Sequence, residues 1–478
     1  MSQLPTDCLN EIFEFLENDK FTLYSCILVN RFWCEVSVRI FWRDIWNYSI
    51  SNFRTLVACL PNESKEILYK NGIIISTPTL KTPIFNYASF CKNLSVNRVH
   101  YKIEKLLNNQ QNIHNKTHIV TQEIFKMFMR EISSLRRLTF LSYLDITFNL
   151  YPGEKDYLKN LSELHCNSNI PSEFFYQLSQ ICHNIQSFTL EFEETISNGI
   201  ADLISVQRNL KYFDVILCNG VIFNGMINKI SSLMSKVPNT LIKLNLDVGN
   251  NFTSFSFIAN FSNLQELKLT IEYQECIIDF EKLQYVIFPK LQVLIIREEY
   301  PRVELLMKFL ETNGKNLKEI CIGEGAICSN NSLNLTIAKF CPNLKKLSVG
   351  IKEKELEMLK IIFNSCKNLE NIKIWCGKNY LSEKEALEMV AKYSQNVYEL
   401  ILYHQYDVQF ELLPEELESF FISWINRKPQ KSLSLVTVKY DANSLDTNQE
   451  NIEIINKYIK LGVVKKFIVT GFENEEYN

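Results

Sequence analysis

The residue types that most often carry chemistry are present in this 478-residue chain, but their spacing does not assemble them. Gly220 and Gly225 are spaced as in a phosphate-binding loop, yet Met226 and Ile227 stand where Lys and Ser or Thr would be needed. Gly323-Glu324-Gly325 lacks the third glycine of a dinucleotide turn. The six histidines, His100, His114, His118, His165, His183 and His404, are dispersed, and no H-E-x-x-H occurs. His114 and His118 lie four apart, but in a polar stretch with no thiol pair beside them. Fourteen cysteines are scattered without a C-x-x-C pair. In a reducing compartment they read as small buried hydrophobes rather than disulfides or ligands. Nothing nominates a catalytic residue, a metal or a cofactor, so the chemistry to look for is recognition.

Bulk properties narrow the partner. The net charge is −3 with acidic and basic residues mixed throughout, which argues against nucleic acid. Met1 to Asn10 contains neither a basic nor an apolar leader pattern. The longest apolar runs, such as Ile73-Ile74-Ile75 and Val293 to Ile296, fall far short of the roughly 18 to 20 residues that span a bilayer. The expectation is a soluble intracellular protein of cytoplasm or nucleus, with no membrane partner.

The elements that could present a recognition surface repeat. From Leu135 onward a Leu-x-x-Leu-x-Leu pattern returns, often introduced by Asn, as in Asn263-Leu264-Gln265-Glu266-Leu267-Lys268-Leu269 and Asn343-Leu344-Lys345-Lys346-Leu347. Units start near Leu135, Leu161, Ile185, Leu210, Leu241, Leu264, Leu291, Leu317, Leu344, Leu369, Val397, Leu433 and Val464. Most are separated by roughly 23 to 31 residues, with one near 36, in or near the range of leucine-rich repeats. Alternation at Leu267 and Leu269 predicts a short strand with one buried face. Between strands the spacing turns helical, as at Phe174, Phe175, Leu178 and Ile181, or Leu305, Leu306, Phe309 and Leu310, with Gly314 as a helix stop. No unit buries its own apolar face, so stacking is compulsory. Strands about 4.8 Å apart facing helices about 8 to 10 Å apart make the stack curve, strands on the concave side.

Strand residues pointing away from the core would line that concave wall: Lys243, Asn245, Asp247, Glu266 and Lys268 in the middle units. Two clusters are less polar. One is Val293 and Ile295 with Arg297; the other is Trp375, Ile401 and Tyr403 with Lys373 and Glu399. Aromatic and Arg side chains are the commonest energetic anchors of interfaces, so these are the candidate target-binding residues. The alternative is that Trp375 folds over the edge of the stack, or that a register shift of one sends it into the core.

The amino-terminal fifty residues are organised differently. Leu9, Ile12, Phe13 and Leu16 form an apolar stripe, Asn18-Asp19-Lys20 breaks it, and Thr22 can cap a second helix carrying Leu23, Cys26, Ile27, Val29, Phe32, Trp33 and Val36. So much aromatic surface cannot be buried by so short a segment, so it packs on the next domain or on a partner. Leu4-Pro5-Thr6-Asp7-Cys8-Leu9-Asn10-Glu11-Ile12-Phe13 resembles the opening of an F-box, and Leu28-Val29-Asn30-Arg31-Phe32-Trp33 with Phe41-Trp42 resembles its continuation. Cys182-His183-Asn184, Cys341-Pro342-Asn343 and Cys366-Lys367-Asn368 look like the cysteine-containing repeats common in F-box proteins. The position eight beyond the first leucine departs from that pattern: it is Asn169 and Cys218, but Glu272, Gly325, Lys352 and Gly377 elsewhere.

The resemblance implies a receptor that binds a Skp-family adaptor and, through it, a cullin scaffold, while its repeats hold a target protein for ubiquitination. It implies that Leu4, Pro5, Leu9, Ile12, Val29, Trp33 and Trp42 form or support the adaptor surface. The competing readings are a helical cap on whatever follows and an adaptor-bound scaffold that delivers no target. The expected architecture is α/β: an F-box over 1–48, a mostly helical connector over 49–134 with a flexible polar loop near 108–118, a repeat solenoid over 135–472 and an acidic tail over 473–478.

Overall fold

The computed structural model describes residues 4–78, 83–108, 112–141, 155–193, 195–217, 226–323, 330–377, 380–404, 412–439 and 443–471. The acidic tail at 473–478, Gly220, Gly225, Cys218 and Gly325 lie outside the described residues. The chain divides into two compact units, Met1–Cys218 with Ser232–Thr240, and Asn219–Ser231 with Leu241–Asn478.

The first unit opens with α1 (Thr6–Glu14), α2 (Lys20–Ile27) and α3 (Arg31–Phe41). Sequence reasoning placed the cap of α2 at Thr22. The cap is Asp19, whose carboxylate accepts from the Thr22 backbone N–H at 3.1 Å and from its hydroxyl at 2.6 Å. Asn30 caps α3 in the same way, accepting from the Trp33 N–H at 2.9 Å. Leu9, Phe13, Leu23, Cys26, Val36 and Ile40 form the core of this three-helix segment. Next come α4 (Ile50–Cys59) and α5 (Asn62–Lys70), then β1 (Asn93–Ser95), α6 (Val96–Leu107) and α7 (Ile113–Glu131).

Two expectations about this segment need correction. The polar stretch near 108–118 is not a loop throughout, because from Ile113 onward it is the first part of α7. Thr117, Val120, Thr121, Ile124, Phe125 and Phe128 are buried at helical spacing, so the periodicity starts inside residues whose Asn and His content masked it. Residues 109–111 lie outside the description. The sheet also begins before Leu135. β1 pairs with β2 (Arg137–Phe140), inside the segment read as a connector. β3 (Glu163–Asn167), β4 (Ser187–Phe192) and β5 (Tyr212–Leu217) follow in parallel order, with α8 (Ser172–Ser179) and α9 (Gly199–Ser205) between strands.

The second unit continues the plan after α10 (Met226–Met234), whose last residues belong to the first. Its strands are β6 (Lys243–Gly249), β7 (Thr253–Ser254), β8 (Glu266–Ile271), β9 (Ile277–Ile278), β10 (Val293–Glu298) and β11 (Glu319–Ile322). β12 (Lys346–Val349), β13 (Asn371–Cys376), β14 (Glu399–His404), β15 (Leu433–Val438) and β16 (Val464–Thr470) complete them. All but β7 and β9, which pair with each other, form one parallel sheet in chain order. The returns are α11 (Val303–Asn313), α12 (Asn331–Phe340), α13 (Leu356–Ser365), α14 (Glu383–Tyr393), α15 (Pro414–Ile425) and α16 (Gln449–Lys460). After β6 and β8 they shrink to the 3-10 turns Ser256–Asn260 and Phe280–Lys282.

This is a leucine-rich-repeat architecture, and its energetics lie in the alternation. Leu267, Leu269, Leu294, Ile296, Ile372, Ile374, Leu400 and Leu402 are all buried between sheet and helices. Each such side chain contributes about 1.5 to 3 kcal/mol by leaving water. Thiols tie neighbouring repeats: Cys182 Sγ donates to the Leu158 carbonyl at 3.3 Å, and Cys366 Sγ to the Cys341 carbonyl at 3.4 Å. Gly314 ends α11 with an ordinary helical φ of −60°. It is required instead by close approach, since a Cβ there would lie 2.7 Å from Cys341 Sγ and 2.8 Å from the Phe340 carbonyl oxygen.

Candidate functional site

The amino-terminal helices show two apolar surfaces where a self-contained bundle would show one. On α2, Leu23 and Cys26 face the core. Phe21, Tyr24 and Leu28, at i, i+3 and i+7, lie on the opposite side and are exposed, Phe21 to 89%. α1 repeats the arrangement, with Leu9 and Phe13 buried beside Cys8, Ile12 and Phe15 on an exposed stripe, Phe15 to 91%.

The seven residues assigned to an adaptor surface therefore separate. Leu4, Pro5, Ile12 and Val29 are exposed. Trp33 is half-buried, its ring edge-on to Phe13 with centroids 5.1 Å apart. Leu9 sits in the core and Trp42 is buried against Tyr48 and Tyr87, with ring centroids at 4.7 and 4.3 Å, so neither is exposed at a surface. Sequence reasoning did not single out the exposed apolar residues Phe15, Phe21, Tyr24 and Leu28. The signal was there: aromatics flank the Asn18-Asp19-Lys20 break, where a core stripe would have ended.

The segment that follows α3 caps the first unit's sheet. The Arg43 carbonyl accepts from the Lys92 and Asn93 N–H groups at 2.8 and 3.1 Å, and Asp44 forms a parallel bridge with Asn93. The edge of β1 is thus covered from within the chain.

In the second unit, the register sets the open-face rows. One reads Lys268, Ile295, Cys321, Ser348, Lys373, Ile401, Val436 and Ile468 across successive strands from β8 to β16. Below it runs a charged row in which Lys243–Glu266, Lys346–Glu319 and Lys466–Glu399 pair at 2.8, 3.7 and 3.5 Å. Val293, Ile295, Arg297, Lys373, Glu399 and Ile401 lie on this face, each half-buried.

Trp375 does not stand there as an exposed anchor. It has the open-face parity, so the register is not shifted, but its exposure is 0%. The indole lies across Gly350, where a Cβ would meet its Cε3 at 2.6 Å, and donates Nε1–H to Ser348 Oγ at 3.1 Å. Tyr380 packs edge-on, Tyr403 tilts beside it at 6.3 Å, and Val438 closes the cluster. Tyr403 is buried too, under the Lys373 ammonium 5.1 Å from its ring centroid. The accessible surface of the patch is Ile401, Val436 and Ile468, three β-branched residues adjacent across β14, β15 and β16.

Elsewhere several titratable groups pack within the scaffold. His165 Nε2 meets Glu191 at 2.8 Å, and the buried His404 Nε2 lies 3.0 Å from Glu383 Oε1 without a hydrogen bond between them. Asn167 and Asn169 both donate to the Glu193 carboxylate. Among the described residues no group of three or more His, Cys, Asp or Glu is placed to hold a metal ion, and no helix is long and apolar enough to cross a membrane.

No protein-family model and no curated protein matches the sequence. Solved structures do. A yeast complex of Rad7 and Elc1 aligns at 15% identity over 93% of this chain and 94% of the other, with a TM-score of 0.41. The leucine-rich-repeat protein LegL7 from Legionella pneumophila aligns at 14% identity over 62% and 93%, with a TM-score of 0.34. The leucine-rich repeat domain of the type III effector XopL aligns at 15% identity over 58% and 84%, with a TM-score of 0.29.

Proposed function

We propose that the chain is the substrate-recognition subunit of an SCF-type ubiquitin ligase. Its amino-terminal helices bind a Skp-family adaptor and, through it, a cullin scaffold; its repeats bind the protein to be modified. The observation that carries the reading is the second apolar stripe of α2, Phe21, Tyr24 and Leu28, which the chain leaves in water. Leu4, Pro5, Ile12, Phe15 and Val29 extend the adaptor surface, Trp33 shapes it, and Leu9 and Trp42 hold it in place. The target would lie on the second unit's open face, over Ile401, Val436 and Ile468 with Lys373 and Glu399 beside them, and over Val293, Ile295 and Arg297. Trp375 and Tyr403 support that floor from beneath. Catalysis would be positioning, which raises the target's effective concentration at the ubiquitin carrier.

Co-expression with a Skp-family adaptor tests the first half. The full chain should co-purify with it, and Phe21→Ala with Leu28→Ala should break the complex while leaving the melting temperature unchanged. An intact complex would refute the assignment. Cullin in the purified assembly, and accumulation of a bound protein when the chain is deleted, separate a substrate receptor from an adaptor-bound scaffold. Ile401→Glu should release that protein and keep the adaptor.

A further inference from the structure

Helix α6 presents a second kind of surface, unrelated to the apolar stripes. Val96, Val99, Ile103 and Leu107 bury one side. Arg98, Tyr101, Lys102 and Lys105 fall at i, i+3, i+4 and i+7 on the other, and its acidic residue, Glu104, lies off this stripe. The Arg98 guanidinium sits 5.1 Å from the ring centroid of Trp46 and 5.9 Å from that of Tyr101. Lys105 Nζ lies 5.5 Å from the centroid of Tyr101. Trp46 and Tyr101 are themselves about half exposed.

Cations are thus lined up along a ladder of rings with no ion-paired carboxylate among the described residues. The carboxylate nearest in the chain to Trp46, that of Asp44, is already engaged, accepting from the Trp46 N–H at 2.9 Å and from Asn93 Nδ2 at 2.9 Å. Arg98 Nε is buried and has no hydrogen-bond partner. Burial, and then repulsion from Arg98, lower the pKa of Lys102. Three like charges within two helical turns cost stability unless an anion offsets them. The rings hold Arg98 and Lys105 in place, because the guanidinium and the ammonium are attracted to the π faces beneath them.

We propose that this ridge, Trp46, Arg98, Tyr101, Lys102 and Lys105, docks an acidic, Asp/Glu-rich segment of a protein partner. Carboxylates fit because the ridge offers charge and N–H donors at roughly one-turn spacing. A nucleic acid fits less well, since single strands bind by stacking bases on open aromatic faces, and here cations already lie on those faces.

The test uses the full chain and two fluorescent probes in anisotropy titrations at low salt, an oligoglutamate and an oligothymidylate of equal charge. The oligoglutamate should bind and be released by added salt. Lys102→Gln with Lys105→Gln should weaken it about threefold, and addition of Arg98→Gln about tenfold. Lys352→Gln with Lys354→Gln, an exposed pair elsewhere, should change nothing. If the triple variant melts early, the double variant carries the comparison. Equal oligoglutamate affinity in wild type and double variant overturns the proposal. So does tighter binding of the oligothymidylate that the same substitutions abolish, which would make the ridge a nucleic-acid surface.

Discussion

Arg43 and Glu14 meet at two points, with Nη1 and Nη2 each 2.6 Å from a carboxylate oxygen, and Glu17 adds a third contact at 3.3 Å. The pair joins the end of α1 to the residue whose carbonyl covers the edge of β1, so one side chain couples the amino-terminal helices to the sheet. The hydrogen bond from Arg43 holds the Glu14 carboxyl below its ordinary value near 4.5.

That direction fixes the pH dependence. A carboxyl whose pKa is lowered by folding stabilises the native state fully above its unfolded value and loses that contribution as pH falls through the folded value. Glu14 is more than a third exposed, so screening holds the contribution to about 1 kcal/mol. Arg43→Met should lower the melting temperature at pH 7, and its gap from wild type should narrow as the pH falls below the ordinary carboxyl value near 4.5. Thermal melts at neutral pH and at successively lower pH check this, and a gap of unchanged size would contradict it.

The exposed and buried members of the proposed adaptor surface should fail in different ways. Phe21→Ala removes a side chain in water and should leave stability within about 0.5 kcal/mol. Binding of the adaptor should fall by roughly 2 kcal/mol if the residue anchors the interface. Leu9→Ala empties the core between α1, α2 and α3 and should cost about 2 to 5 kcal/mol of stability. Paired denaturant melts and adaptor titrations separate the two, and a melting loss in Phe21→Ala would mean its ring packs within the chain.

Much of this was legible before any coordinates. From Leu135 to Val397 every repeat start falls two residues ahead of a strand, because a leucine recurring at that spacing is both the core residue and the clock of the stack. The last two starts, Leu433 and Val464, coincide with the strand's first residue, where β16 carries a bulge against β15. Parity was legible as well: Trp375 and Tyr403 are on the open face. Their burial was not, since it depends on Gly350 leaving room for an indole from the next strand and on Tyr380 arriving from the following loop. The outer stripe of α2 was hidden for the opposite reason. Its residues have the composition of a core, and only the packed bundle shows which apolar side is already used.

Gly350 and Trp375 should behave as one unit. Gly350→Ala puts a methyl group 2.6 Å from the indole and 2.9 Å from Tyr380, and both rings must shift. A loss of about 1 to 3 kcal/mol is expected from overpacking. Trp375→Ala should cost about 3 to 5 kcal/mol by itself. With the indole gone Tyr380 can move aside for the added methyl, so the double variant should be no less stable than Trp375→Ala alone. A double-mutant cycle on urea midpoints reads the coupling, and additive losses would show that the glycine serves some other contact.

The thiols that bridge repeats should be chemically silent until the repeats separate. Burial pushes Cys182 up to about 12 and Cys366 up to about 11, and only the thiolate attacks an electrophile. Their hydrogens are also engaged, on the Leu158 and Cys341 carbonyls. Cys8, by contrast, is exposed on α1 beside Ile12 and Phe15. Iodoacetamide at pH 8 should therefore modify Cys8 first among the described cysteines and leave Cys182 and Cys366 untouched in the native protein. Bound adaptor should slow the Cys8 reaction, because the stripe it lies on would be covered, and should not change that of Cys182. Peptide mapping by mass spectrometry resolves each site. Rapid native labelling of Cys366 would mean that the repeats open locally there, and a Cys8 rate indifferent to adaptor would move the docking surface off α1.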